Sequence, residues 1–189
     1  MATNIAEPAG LTPRFAAPIP RRLLVLGNLL VVLALCTLQV VVVIAAAALR
    51  GADFHVRASG VAWLVAAAAL FAILMYGIAE TLAARIHQQE EYIGATPAIA
   101  ILPWFFAGAL FPIGALPGAL TTFAKVLPLT HAMALMRYGF VDPKGTGLHD
   151  IWGMSNTTAE AWLSLAVVVL FAAAFIAIAV HAFTRSAVH

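Results

Sequence analysis

Three stretches of this chain, at positions 23–49, 58–79 and 161–184, run for about 27, 22 and 24 residues without one Asp, Glu, Lys or Arg, and ~20 apolar residues suffice for a helix to cross the hydrocarbon of a bilayer. One such run fits the buried helix of a large soluble core. Three of them within 189 residues leave too little polar surface to cover them. The composition agrees: 63% of the residues are hydrophobic and 10% charged, against ~45–50% and ~25% in soluble domains. The chain therefore reads as an integral membrane protein. In lipid its spans are helices, because a lone strand leaves its backbone groups unpaired; this holds even for the β-branched stretch Val40-Val41-Val42-Val43-Ile44.

A net charge of +2, with basic residues scattered singly, offers no stripe to meet a nucleic-acid backbone. Cys36 is the only cysteine, so no intrachain disulfide exists; it reads as a small apolar residue. Before the first run stand Pro8, Pro13, Pro18 and Pro20, then Arg21-Arg22. A secretory signal has an apolar core of ~7–15 residues, about half this run. The run is thus expected to stay as a transmembrane helix, with positions 1–20 a flexible cytoplasmic tail ahead of a membrane domain at 21–189.

The pattern predicts a first span at 23–49, with Asn28 and Gln39 hydrogen-bonding to a neighbouring helix, and a polar link at 50–57. A second span at 58–82 carries Trp63 and Tyr76 near its ends, as interfacial aromatics. The most polar segment follows at 83–92, with Arg85, His87, Gln88, Gln89, Glu90 and Glu91, and is expected to form a short surface helix. From Ile93 the chain is uncharged to Ala124 but interrupted by Pro97, Pro103, Pro112 and Pro117. Proline removes a donor and disfavours helix before it. The expectation is one crossing from Ile93 to about Phe111, a bend at 111–114, then short helical pieces through Phe140. These carry Lys125, His131 and Arg137, which are costly in open lipid, so a re-entrant hairpin packed on protein is favoured. Positions 141–158 form a loop, Thr158 is expected to cap the last span, and Glu160 sits in its first turn, where a negative charge suits the helix dipole. Asn156-Thr157-Thr158 matches a glycosylation sequon and reads as the turn that opens this helix. The fold class is an all-α polytopic membrane protein with about four transmembrane helices and a proline-broken re-entrant hairpin before the last. Four spans divide the basic residues evenly: Arg14, Arg21, Arg22, Arg85 and Arg185 on one side, Arg50, Arg57, Lys125, Arg137 and Lys144 on the other. Removing a protein-packed Lys125 and Arg137 from the count leans the N-terminus inward. The alternative makes 119–138 a fifth crossing.

There is no phosphate loop, no His-Glu-x-x-His pair and no Gly-x-Ser-x-Gly elbow. Glu80 reads as an interfacial carboxylate, and His87 with Glu90 and Glu91 lacks a second cluster for a metal. His131 and Arg137, near one helical face, read as hydrogen-bonding within the hairpin, with contact to an anionic head group as the alternative.

The run Ile101-Leu102-Pro103-Trp104-Phe105-Phe106-Ala107-Gly108-Ala109-Leu110-Phe111-Pro112, then Leu116-Pro117-Gly118, then Leu127-Pro128-Leu129-Thr130 and a closing Arg137, closely resembles the signature of the ABC-2 type transporter permeases, the membrane subunits of ATP-driven exporters such as the daunorubicin-resistance type. The slots fall on Pro103, Gly108, Phe111, Pro112, Pro117, Pro128, Leu129, Thr130 and Arg137. The first span resembles the family's third helix, and the segment at 85–92 its cytoplasmic loop between the fourth and fifth. Family members usually have six spans, so by this resemblance the chain holds the last four and lacks the first two.

The resemblance implies a permease subunit of an ABC exporter rather than an enzyme. Its expected partners are a separate ATPase, which holds the ATP and Mg, a second permease subunit, in a homo- or hetero-dimer, and membrane lipid. No cofactor is expected on this chain. Arg85, His87, Gln88, Gln89, Glu90 and Glu91 would couple to the ATPase, and the hairpin would shape the outer exit. Both termini would face the cytoplasm of a bacterial cell. The cargo would be an amphipathic drug, a lipid or a polysaccharide. The alternative, motivated by the absent spans, is a non-transporting subunit that packs on a full-length permease.

Overall fold

The computed structural model describes residues 21–52, 54, 57–86, 88–110 and 112–185. The expected tail at 1–20, His87 and Phe111 lie outside the described residues. Among the described residues there are seven α-helices, one 3-10 turn and no strand. The helices are α1 (Arg21–Leu49), α2 (Ala58–Arg85), α3 (Gln89–Phe106), α4 (Gly118–Val126), α5 (Pro128–Phe140), α6 (Thr146–Trp152) and α7 (Thr157–Arg185), with the 3-10 turn at Ile113–Ala115 before α4. Three segments, Leu23–Leu49, Ala58–Arg85 and Thr157–His181, are long and apolar enough to cross a membrane. The chain is a polytopic helical membrane protein.

Paired contacts fix how the helices run. Trp63 of α2 meets Trp162 of α7 with ring centroids 5.1 Å apart, and farther along a Cβ on Gly77 would stand 3.1 Å from the backbone nitrogen of Ile176. Both helices advance together, so they are parallel. The Tyr76 hydroxyl donates to the Val25 carbonyl, 3.1 Å away, and places the start of α1 beside the second half of α2. The start of α1, the α2–α3 link and the end of α7 therefore share one end of the bundle. The α1–α2 link lies at the other, as does the end of α5, where Phe54 stacks on Phe140 at 4.8 Å. We call these the link end and the hairpin end. The 18 residues of α3 rise about 27 Å, close to the ~30 Å of a hydrocarbon core. They lead from the link end to Ala109, whose carbonyl accepts from Arg137 at the hairpin end. Four helices thus join the two ends.

Between α3 and α7 the chain dips and returns. α4 and α5 meet at 79°. The deep side of their bend is fixed by His131, which bonds to Ser164 of α7. Ser164 lies only about 10 Å of rise past the start of a 29-residue helix. The bent pair thus dips about 10 Å into the bundle and returns to the hairpin end, an arrangement that favours a re-entrant hairpin over a fifth crossing.

Small residues set the packing. Ala67 and Ala72 of α2 are buried, as are Ala161, Ser164, Val168, Ala172 and Ala179 of α7, spaced three, four or seven apart along one helix face. Lipid tails are as apolar as leucine, so burial of apolar surface does not drive these helices together; close backbone approach and van der Waals contact do. The tightest approach joins α2 and α5. A Cβ on Gly60 would overlap the carbonyl oxygen of Gly139, and one on Gly139 would overlap that of Gly60. α1 is little enclosed: Leu30, Leu38 and Val43 are more than half exposed.

Several expectations change. The single crossing expected at 93–111 is present with shifted bounds, Gln89–Phe106, and is helical through both Pro97 and Pro103, since a membrane helix has no water to reward unwinding at a proline. The chain breaks where proline opens an element: at Pro112 before the 3-10 turn, within the expected bend, at Pro117 before α4 and at Pro128 at the start of α5. There the missing N–H costs nothing. No separate surface helix forms at 83–92, since α2 runs on to Arg85 and α3 begins at Gln89. Tyr76 is buried between helices rather than interfacial. Asn28 and Gln39 are exposed and make no hydrogen bond to another helix among the described residues. Asn156, not Thr158, caps α7: its Oδ1 accepts from the backbone N–H of Thr158 at 3.1 Å and Ala159 at 3.2 Å.

Candidate functional site

The hairpin is held by a buried polar network. His131 and Ser164 are 2% and 0% exposed. Nε2 of His131 lies 2.9 Å from the Lys125 carbonyl, and Nδ1 lies 3.1 Å from Ser164 Oγ. A carbonyl can only accept, so Nε2 carries the proton. The unprotonated Nδ1 then accepts a hydrogen bond from the Ser164 hydroxyl, whose oxygen in turn accepts from Trp152 Nε1 at 2.8 Å. This assignment leaves every group satisfied with a neutral imidazole. One histidine thereby joins the end of α4, α5, α6 and α7.

A turn earlier on α7, Glu160 is fully buried. Its Oε1 accepts from the Met154 backbone N–H at 2.7 Å and lies 3.4 Å from His149 Nδ1. Its Oε2 has no hydrogen-bond partner. Together with the Asn156 cap, this fixes the α6–α7 turn.

About a quarter turn round α5 from His131, Thr130, Ala134 and Arg137 recur at helical spacing and line a cleft of about 420 Å³. Gly108 and Pro112 form its wall on the α3 side, and Asp142 and Asp150 line it on the α6 side. Gly108 ends α3 at φ 76°, a left-handed conformation natural to glycine. Arg137 donates to the Ala109 carbonyl at 3.1 Å. Asp142 accepts from the Thr146 hydroxyl and the Gly147 N–H, closing the first turn of α6. Thr130 is 2% exposed and its hydroxyl has no hydrogen-bond partner among the described residues.

The sequence-derived residues thus separate into two groups. Gly108, Pro112, Thr130 and Arg137 meet at the hairpin cleft, while Pro117, Pro128 and the buried Leu129 shape the elements around it. Pro103 lies within α3. At the far end of the bundle, Arg85 is the last residue of α2, Gln88 is exposed in the link, and Gln89, Glu90 and Glu91 form the first turn of α3. His131 and Arg137 do not act together: one faces α7 and the other the cleft. Of the bonding expected within the hairpin, His131 makes one contact there, to Lys125, and a second to Ser164 of α7, whereas Arg137 reaches Ala109, ahead of the hairpin. Among the described residues no group of His, Cys, Asp or Glu could hold a metal ion.

The family model for ABC-2 family transporter proteins matches residues 11–181. The chain belongs to the ABC-2 transporter family. It is accordingly a membrane component of a transporter, of the kind that works with an ABC ATPase. No curated protein and no solved structure matches it.

Sequence reasoning missed Ser164, Trp152 and the α2–α5 glycine contact. Ser164 had a signal, since Glu160 and Ser164 are polar residues four apart in an otherwise apolar helix and share a face. Gly60 and Gly139 had none, because helix pairing is not written in either segment alone.

Proposed function

We propose that this ABC-2 family chain is the permease subunit of an exporter, with the link end cytoplasmic and the hairpin end outside. A separate ATPase docks on the α2–α3 link, a second permease packs alongside, and an amphipathic drug, lipid or polysaccharide is carried out of a bacterial cell. ATP and Mg belong to the ATPase, and no cofactor is assigned to this chain.

One observation supports this reading above the others. Only three residues separate α2 from α3, so a partner that displaces Arg85, Glu90 and Glu91 moves both helices together. α2 meets α7 at Gly77 and Trp63 and α5 at Gly60. A rigid shift of α2 is therefore felt at the hairpin, which is how packed helices pass on small displacements. The charged link also suits a protein contact in water. Co-purification in mild detergent with its cognate ATPase tests the assignment. Replacing Arg85, Glu90 and Glu91 together by alanine is expected to weaken ATPase retention by roughly ten-fold or more, as for loss of several interface charges. Undiminished retention would remove the link from the coupling surface.

A further inference from the structure

Arg137 lines two cavities of opposite character. On one side is the hairpin cleft, with Thr130, Asp142 and Asp150. On the other, a groove of about 370 Å³ runs between α1 and α5, and apart from Gln39 and Arg137 every side chain lining it is apolar, among them Val40, Val43, Met133 and Phe140. A charged pocket and a greasy groove that share one arginine match an amphiphile with a charged head and a hydrocarbon tail.

The polar side narrows the head group. Arg137 has five donors, and its one hydrogen bond among the described residues goes to the Ala109 carbonyl. The Thr130 hydroxyl is buried in the same cleft wall without a partner among the described residues, a cost that a ligand oxygen would remove. A phosphate suits both, since guanidinium and hydroxyl each donate to its oxygens. Asp142 is occupied in holding α6. Asp150 is exposed at the cleft and makes no hydrogen bond or ion pair among the described residues, so an anionic acceptor remains for a cation next to the phosphate.

We propose that the chain holds one aminophospholipid of the leaflet around the hairpin. Its phosphate lies against Arg137 and Thr130, its ammonium against Asp150, and one acyl chain fills the α1–α5 groove. The site would cover part of α1, whose Val43 is 66% exposed in the protein alone. The proposal needs only that the chain spans a membrane. It is independent of the direction of transport and of any ATPase.

Native mass spectrometry of the purified full chain, supplied with phosphatidylethanolamine or phosphatidylglycerol in detergent, tests it. The wild-type chain is expected to retain one phosphatidylethanolamine, and Arg137→Ala to retain it roughly ten-fold less, the scale of one lost charge-assisted contact. Val43→Trp, at a lipid-exposed position, plugs the groove without touching the head-group cleft and is expected to abolish retention. Asp150→Asn is expected to weaken phosphatidylethanolamine by about three- to ten-fold while leaving phosphatidylglycerol unchanged. Soluble glycerophosphoethanolamine, which lacks the chains, is expected not to compete. Wild-type retention of phosphatidylglycerol as tight as phosphatidylethanolamine overturns the proposal, and so does full retention by Val43→Trp. Should Arg137→Ala fail to fold, these two measurements and Asp150→Asn still decide.

Discussion

At the scale of single residues, the hairpin depends on side chains whose polar atoms have no water to fall back on. Ser164 both donates to His131 and accepts from Trp152. Replacing it with alanine leaves a ring nitrogen and an indole N–H buried and unpaired at once. Unpaired buried groups cost ~1–3 kcal/mol each, partly offset in a membrane because the loosened state finds other partners. Ser164→Ala is expected to destabilise the folded chain by about 2 kcal/mol in SDS-driven unfolding. Thr37→Ala is the matched control. Its hydroxyl bonds only the Leu33 carbonyl on the exposed face of α1, and its loss is expected to stay within about 0.5 kcal/mol. Equal effects would mean that the network holds nothing together.

At the scale of elements, the contact that seats the hairpin is the backbone approach of α2 and α5 at Gly60 and Gly139. Each Cβ would strike a carbonyl oxygen of the other helix, and backbone cannot swing aside as a side chain can. Gly139→Ala is therefore expected to cost about 3 kcal/mol or more. Gly94→Ala, in α3 with nothing within 4 Å of the added carbon, is expected to be neutral or to stabilise by up to about 1 kcal/mol. The same unfolding assay compares them. These glycines also mark what a sequence can disclose. The long spans were legible from run length, since the bilayer sets a length that apolar residues must fill. The hairpin was legible from Pro112, Pro117 and the charges within it, while Pro128 entered only through the family signature. The reading failed at the bounds of α3, which starts at Gln89 and stops at Phe106 rather than running from Ile93 to about Phe111, because its polar first turn, Gln89-Glu90-Glu91, reads as part of the link. It failed again at Tyr76, Asn28 and Gln39, because an almost uniformly apolar helix gives no stripe from which to tell its protein-facing side. In the cleft, Thr130 and Arg137 stood out within the signature, whereas Asp142 and Asp150 read only as loop residues until α6 folded over them.

At the scale of the whole molecule, the decisive quantity is which chain segments share a side of the membrane. The parallel run of α2 and α7, the Tyr76–Val25 bond and the shallow depth of the His131–Ser164 contact require Gly51 and Lys144 to emerge together, with Gln88 opposite. This sidedness holds whichever way the protein is inserted; the exporter reading adds that Gln88 is the cytoplasmic one. Single cysteines test both statements, once Cys36, the only native thiol, is replaced by alanine. Gly51 is unsuited because of its positive φ, but Arg50, Lys144 and Gln88 are exposed positions that tolerate a small side chain. In intact cells a membrane-impermeant maleimide is expected to label Arg50→Cys and Lys144→Cys and to reach Gln88→Cys only after permeabilisation. Labelling of Gln88→Cys alone would keep the helix arrangement and invert its insertion, taking the ATPase contact away from the link. Labelling of Arg50→Cys without Lys144→Cys would mean that the α4–α5 bend crosses the membrane, and the re-entrant hairpin, the cleft beside it and the lipid seat would all have to be given up.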